Sequence, residues 1–423
     1  MSTGNNEVPE SFASLGLTAS LLQAIGQAGY ATPTDIQSAA IPAILRGQDV
    51  LAKAPTGSGK TAAFVLPLLQ RLAQSPRADA RAPRALILVP TRELASQVAG
   101  VVRAFARSMP EPIKLAVTVG GLSINPQMLA LRGSVDIVVA TPGRLLELHE
   151  NNALHLAAVQ TVVLDEADRL LDLGFADELQ RILRTLPARR QNLLFSATFP
   201  ESVRQLADAL LQDPQRIEAD AGTEDAPLTI QRAIAVDAGR RTALLRQLLQ
   251  GPDWTRVLVF VATRYATEHV ARKLRRDAIQ AAALHGDLSQ GARTEALESF
   301  RNGRIQVLVA TDVAARGIDI VRLPVVVNFD LPRSADDYVH RIGRTGRAGA
   351  PGLAVSFITG DQERHFQLIE KRQHLRVPRE VIAGYEPQPA PAPATPGTGG
   401  IKGRRKSRKD RLREAAAGGK PAV

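Results

Sequence analysis

Short runs of branched and aliphatic residues alternate with amphipathic stretches along this chain, and the alternation occurs twice. The first series lies at residues 49–54, 85–90, 115–120, 136–140, 161–165 and 192–197. Such short, largely apolar runs suit strands buried on both faces of a sheet. Between them, positions such as Val203, Leu206 and Leu210 repeat at helical spacing, and no Asn-Gly turn joins two neighbouring runs as a hairpin would. Strands that alternate with helices pair in parallel, because each helix carries the chain back across a sheet face. The expectation is an α/β fold built on a doubly wound parallel sheet.

The rhythm restarts at residues 257–261, 281–285, 305–310, 325–329 and 353–358, which predicts a second sheet. A polar stretch from Asp220 to Pro227 has no apolar period and separates the two series. A linker is placed at 220–228, between a first domain at 1–219 and a second at 229–385. Residues 386–423 begin EPQPAPAPATPGTGG and continue with eight basic residues between Lys402 and Arg413. Such a segment has nothing with which to build a core, so a disordered tail, Pro/Gly-rich and then basic, is expected.

Composition narrows the partners. The formal net charge is +11, and the tail, with nine Lys or Arg against three acids, supplies +6 of it and leaves +5 for the rest. A surplus in both parts favours a polyanionic partner over the plainer alternative of a solvated charged surface. Aromatic residues make up only 4%, too few to stock a base-stacking sheet, so phosphates are the expected handle. There is no Cys, and the seven His show no paired ligand spacing, which fits a reducing compartment and a metal that arrives with a nucleotide. No apolar run approaches the roughly 18 residues of a membrane span, and the N-terminus lacks the blocks of a signal peptide. A cytoplasmic protein with no membrane partner is expected.

Directly after the first run comes APTGSGKT: Ala54, Pro55, Thr56, Gly57, Ser58, Gly59, Lys60 and Thr61. Glycines between a strand and a helix let backbone N–H groups approach phosphates. Lys60 can reach the β- and γ-oxygens, and the Thr61 hydroxyl can ligate Mg2+. Ala54 stands where the general pattern has Gly. Asp165 and Glu166 end the run at 161–165, so both carboxylates emerge at the carboxyl edge of the sheet, where ligands bind. There Asp165 would hold Mg2+ and Glu166 would orient or deprotonate a water, although acids also decorate ordinary helix N-termini. Together the two sites point to hydrolysis of a nucleoside triphosphate.

Asp165, Glu166, Ala167 and Asp168 also spell a family name. GYATPTDIQ at 29–37, PTRELASQ at 90–97, Gly120 with Gly121, TPGR at 141–144 and SAT at 196–198 stand in order around them. VFVATR at 259–264, HGDLSQGAR at 285–293, ATDVAARGID at 310–319 and HRIGRTGR at 340–347 continue the set. In these motifs the chain resembles the DEAD-box ATP-dependent RNA helicases over everything except its tail. Without a compact module expected after Tyr385, it most resembles their bacterial RhlE-type subgroup.

The resemblance implies two tandem RecA-like domains, ATP and Mg2+ as cofactors, and RNA as the partner. It implies that Gln37 reads the adenine edge, aided by Phe12 and by Tyr30, where the family usually has Phe. A side-chain amide donates and accepts at once, as adenine requires. Arg344 and Arg347 resemble arginine fingers that reach the γ-phosphate from the second domain, and Asp319 is expected at the ribose. Ser196 and Thr198 resemble the motif that couples hydrolysis to strand separation, and His340 and Arg341 resemble residues that tie the ATP site to motif partners such as Asp168. Arg92, Gly121, Thr141, Arg144, Thr263, Arg293 and Thr311 stand where the family holds the RNA backbone, which gives RNA preference with little reading of bases.

On this resemblance ATP and RNA each bridge both domains, closure bends one strand and parts a short duplex, and loss of the γ-phosphate reopens the clamp. Ribosomal or RNA-decay proteins come into view as partners. Two alternatives stay open at this point: a DNA translocase on the same two domains, and an RNA clamp whose ATP hydrolysis is incidental.

Overall fold

The structure is a computed structural model, and it describes residues 11–55, 57–75, 82–219, 229–315, 323–346 and 351–388. The expected linker at 220–228 and the expected tail beyond residue 388 lie outside the described residues. β1 (Val50–Lys53), β2 (Ala85–Leu88), β3 (Leu115–Thr118), β4 (Ile137–Ala140), β5 (Thr161–Asp165), β6 (Gln191–Ser196) and β7 (Gln215–Glu218) form one seven-stranded sheet. Its order is β3-β4-β2-β5-β6-β1-β7, with every pair parallel. β8 (Thr229–Ala235), β9 (Val257–Phe260), β10 (Ala281–Leu284), β11 (Val307–Ala310), β12 (Val325–Asn328), β13 (Gly352–Ile358) and β14 (Arg379–Glu380) form the second, ordered β10-β11-β9-β12-β13-β8-β14 and again parallel.

Helices cover both faces of each sheet, and alternate residues of one strand feed two cores. In β2, Ala85 and Ile87 pack with Leu66 and Leu69 of the helix Lys60–Gln74 and Val98 and Val102 of the helix Arg92–Ala106. Leu86 and Leu88 face the other way, onto Leu145, Leu170, Leu179 and Ile182. Burial on both sides is why these runs carry no polar alternation.

Every run expected as a strand forms one. The pattern missed β7, β8 and β14, and for one reason: strands at or near a sheet's edge do not need to be apolar. β7 buries only Ile217, β14 has two residues, and β8 carries Arg232, which pairs with Glu380 of β14. Subtracting seven from each strand number of the second sheet reproduces the order of the first, so one half repeats the topology of the other. Thr91 after β2 and Thr263 after β9 show the repeat in detail. Each caps the next helix by accepting from the amide three residues on, at 3.2 and 3.1 Å, with φ/ψ of −134/156 and −133/155.

β5, β6 and β1 are neighbours, so their carboxyl ends bring Asp165, Ser196 and the glycine loop to one edge. The opposite edge is tied down by structural polar groups. Arg84 and Asp136 form a buried ion pair at 2.8 Å, and Asp49 accepts from the amides of Asn192 and Gln212. Among the described residues no helix is long and apolar enough to cross a membrane.

Candidate functional site

Gly57 and Gly59, between β1 and the helix Lys60–Gln74, adopt left-handed backbone with φ of +87 and +92. A Cβ on Gly59 would stand 2.4 Å from Gln37 Nε2, so close approach as well as backbone freedom requires glycine there. The preceding element holds the loop in place. Thr34 Oγ1 donates to the Ser58 carbonyl at 2.8 Å, and Gln37 Nε2 donates to the Gly59 carbonyl at 3.2 Å. Gln37 Oε1 accepts from the Thr34 amide at 3.0 Å, closing a capping box. The side chain expected at adenine is therefore 1% exposed, with one N–H and one lone pair left for a ligand. Buried Phe12 meets Tyr30 edge-on at 6.4 Å, and Tyr30, partly exposed, leans on Phe105.

Within the loop, Ser58 Oγ donates to the Pro55 carbonyl and buried Lys60 donates to the Ala54 carbonyl, each at 2.9 Å. Thr61 lies in the first helical turn, whose N–H groups have no intrahelical carbonyl to reach. A buried ammonium beside such amides makes a cradle for phosphate. Thr56 lies outside the described residues.

Asp165, 2% exposed, closes β5. Burial pushes its carboxyl up to about 7, with Lys60 pulling down and Glu166 and Asp168 adding repulsion. Glu166 turns through the left-handed region at φ +54, a strained conformation of the kind found at working sites. Its carboxylate meets Arg169 Nη1 at 3.0 Å, with both side chains buried. Asp168 reaches toward β6. The Thr198 amide and hydroxyl donate to its Oδ2 at 2.9 and 2.8 Å, and its own amide donates to Ser196 Oγ at 3.2 Å. Burial pushes the Asp168 carboxyl up, but the Thr198 hydroxyl, Lys60 and His340 together outweigh it and hold it below the ordinary range.

The second half faces this edge. Arg169 of the first half and Phe260, Asp312, His340 and Arg344 of the second line one cleft. Burial and then Arg169 push His340 down to about 4 against the pull of Asp168, so its imidazole is neutral at pH 7. Arg344 is 5% exposed. Arg341 departs from expectation, because its guanidinium turns into its own half. Nε and Nη2 meet the two Asp312 oxygens at 2.6 and 2.7 Å, Nη1 donates to Asn328 Oδ1 at 3.0 Å, and the group lies over Phe260. It anchors the helix Ala335–Ile342, from which His340, rather than Arg341, interacts with Asp168. Asp319 and Arg347 lie outside the described residues.

Most residues expected on RNA lie at the carboxyl edges of the two sheets. Gly121 has φ +72, and a Cβ there would come within 2.5 Å of Arg92 Nη2. Thr141 Oγ1 accepts from the Gly120 amide at 3.1 Å, and Arg144 Nη2 donates to the Leu122 carbonyl at 2.7 Å. Arg144 Nη1 is buried with no hydrogen-bond partner among the described residues. Thr263 and Thr311 each accept from the amide three residues on. Arg293 is the second departure. It is 4% exposed, its Nε and Nη2 meet Glu93 Oε1 at 2.9 and 2.5 Å, and its Nη1 donates to the His285 carbonyl at 3.1 Å. Glu93 belongs to the first half, so the guanidinium expected on RNA instead joins the two halves.

Sequence reasoning passed over Glu93, Arg169 and Asp312. Arg169 carried a signal, since it follows Glu166 by three residues on a helical face. Nothing in the sequence pairs position 93 with 293.

Residues 34–206 match the DEAD/DEAH box helicase family, and residues 240–349 match the helicase conserved C-terminal domain. The chain is similar to the ATP-dependent RNA helicase SrmB of Escherichia coli, 46% identical over 349 residues that cover 82% of this chain and 78% of that protein. It is also similar to the ATP-dependent RNA helicase DeaD of Escherichia coli, 41% identical over 380 residues that cover 90% of this chain and 60% of that protein. This chain therefore spans about three-fifths of the length of its DeaD relatives. Among solved structures, S. cerevisiae Dbp5 bound to RNA and ADP BeF3 shares the fold with a TM-score of 0.77 at 32% identity, covering 88% of this chain and 96% of that one. The two parallel sheets are thus tandem RecA-like domains, as the motifs implied. With both family regions matched in order, and SrmB covered over most of both lengths, the chain belongs to the DEAD/DEAH box helicase family.

Proposed function

We propose that the chain is an ATP-dependent RNA helicase whose two units, residues 1–219 and 229–385, close on ATP and RNA, part short duplexes locally, and reset on hydrolysis. The observation that carries this is the cleft between the units. Glu166 is held there by Arg169, and Arg169 shares the cleft with His340 and Arg344 of the other unit. The likeness to Dbp5 with RNA and ADP BeF3 bound supports both the closed arrangement and RNA as the partner.

In this reading Gln37, Tyr30 and Phe12 receive the adenine, Asp319 the ribose, and the loop at 54–61 the phosphates. Lys60 exchanges the Ala54 carbonyl for phosphate oxygens. Glu166 orients the water and takes its proton as the new O–P bond forms and the bond to the β-phosphate oxygen breaks, leaving ADP and phosphate. Arg344 and Arg347 stabilise charge that develops on the γ-phosphoryl oxygens. Thr61 and Asp165 offer the hard oxygen ligands that suit Mg2+, whose charge would keep buried Asp165 ionised and offset that of the phosphates. Asp168, bonded to Thr198 and interacting with His340, links nucleotide state to the turn after β6. Arg92, Gly121, Thr141, Arg144, Thr263 and Thr311 take the RNA backbone, without base reading. The lack of Cys suits a reducing cytoplasm, and ribosomal or RNA-decay proteins are the protein partners to seek first.

ATP turnover measured with RNA and with DNA of the same sequence tests the whole reading. RNA should stimulate it and DNA should not. Equal stimulation by both would favour a DNA translocase, and no response to RNA would sink the proposal.

Arg293 is proposed as a closure residue through its pair with Glu93. Leaving one partner of a buried ion pair alone costs about 3–5 kcal/mol, and on this reading opening the two units would part this one, since its members belong to different units. Arg293→Ala and Glu93→Ala should each weaken RNA binding by about tenfold or more when a non-hydrolysable ATP analogue is present. RNA affinity without nucleotide should stay at the parental value, and the double variant should be no worse than the weaker single one. If Arg293→Ala alone weakens RNA binding, and does so without nucleotide, Arg293 acts on RNA directly.

A further inference from the structure

The helix Arg264–Arg276 follows β9 and begins beside Thr263, one of the positions expected on RNA. It packs inward on β10, β11 and the helix Arg241–Leu248 through Val270, Ala271 and Leu274. Its outer side is built differently. Tyr265 is 73% exposed and stacks on His269, with ring centroids 5.6 Å apart and planes at 21°. Arg272, Lys273 and Arg276 continue the same stripe, since spacings of three, four, seven and eight fall on one helical face. Burial and then Lys273, Arg272 and Arg276 hold the His269 imidazole below its ordinary value, so the three cations gather around that ring.

None of these three cations is paired with an acid among the described residues. The acids nearby are engaged elsewhere: Glu268 with His285 at 3.1 Å, Asp277 with Arg246 at 3.1 Å, and Asp287 with Arg264. The fold does not demand such a stripe. The helix Arg92–Ala106 holds the same place in the first half, has no aromatic–basic stripe, and is packed by the helices Lys60–Gln74 and Ala19–Gln27. In the second half the helix Arg241–Leu248 takes the place of Lys60–Gln74, and Tyr265, Arg272, Lys273 and Arg276 stay exposed.

We propose that the outer face of the helix Arg264–Arg276 is an accessory RNA-binding surface, on which a base of the strand leaving the clamp stacks against Tyr265 and His269 while Arg272, Lys273 and Arg276 take the following phosphates. The proposal rests on the reading of the chain as an RNA helicase and extends it. Flat rings stack on any base, and three cations within about 6 Å of helix, at the far end of a stripe about 16 Å long, hold a backbone without reading sequence. The surface begins beside Thr263, a clamp position on this reading, so RNA that runs on past Thr263 reaches it, whereas RNA that only spans the clamp does not.

The test uses the full chain and two single-stranded RNAs, one just long enough to bridge both units and one several-fold longer. One variant carries Arg272→Glu, Lys273→Glu and Arg276→Glu together, and another carries Tyr265→Ala; melting curves of both should match the parent. The charge variant should lose about two units of log–log salt slope for the longer RNA, at about 0.7 per phosphate contact. Tyr265→Ala should weaken the longer RNA by about tenfold, the scale of one lost stacking contact. Binding of the shorter RNA, and ATP turnover saturated with it, should keep parental values. Parental binding of the longer RNA by both variants would overturn the inference and leave the face to a protein partner or to solvent. Equal losses on both RNAs would overturn it too, since the stripe would then belong to the clamp itself. Failure of the parent chain to bind either RNA would instead refute the helicase reading on which the inference rests.

Discussion

Replacing Arg344 by Ala is expected to lower RNA-stimulated ATP turnover by about three to five decades, or roughly 4–7 kcal/mol of barrier. The size follows from where the group sits. Arg344 is almost fully buried and shares its cleft with Arg169 and a neutral His340, so water is poorly placed to replace the lost charge. A guanidinium acting on charge that develops only as the γ-phosphoryl group transfers should leave ATP affinity nearly intact and act on kcat. Arg344→Lys should recover little, because an ammonium lacks the planar fork that meets two oxygens at once. Turnover within tenfold of the parent in Arg344→Ala would remove the finger role from this residue and leave it to Arg347 alone.

Glu166→Gln is the second large effect, a loss of about two to four decades in turnover from removing the base or water-orienting group. The amide keeps the shape of the side chain, so RNA should stay bound for long periods when ATP is supplied, in a complex that forms but does not reset. Stability moves as well. Arg169 is 3% exposed and pairs with Glu166, so neutralising the acid leaves a buried guanidinium without its counter-charge, at a penalty of up to about 3–5 kcal/mol. The lowered melting temperature should be largely restored when ATP brings phosphate charge to the cleft. Hydrolysis at the parental rate would remove Glu166 from the chemistry.

What could be seen in the sequence was whatever is fixed by neighbours along the chain. The glycine loop, the Asp165–Glu166 pair and the central strands are local patterns, and the sheet order places them together without further information. Thr198 and Ser196 are similar, since β6 lies beside β5 and their bonds to Asp168 follow from that adjacency. The direction of a long side chain is another matter. Arg341 and Arg293 both stood in motifs that suggested outward roles, yet Arg341 is claimed by Asp312 and Asn328 of its own unit, and Arg293 by a carboxylate 200 residues away. Those choices depend on which acids the fold brings within reach, and spacing along a chain does not encode that. Edge strands β7 and β14 escaped for the opposite reason, because a strand with one neighbour is selected for pairing more than for grease.

The shared strand order of the two sheets has a consequence for how the work is divided. The position after β1 carries the glycine loop, whereas the matching position after β8 carries Asp237, Ala238, Gly239 and Arg240. The position after β2 and its match after β9 have kept the same Thr-Arg pair and the same threonine cap. The two halves are thus alike along one strip and different at another. On the proposed reading, the matching turns would hold a repeating polymer in successive, equivalent grips, while the differing turns would let one half hold a single asymmetric fuel molecule and the other trigger it.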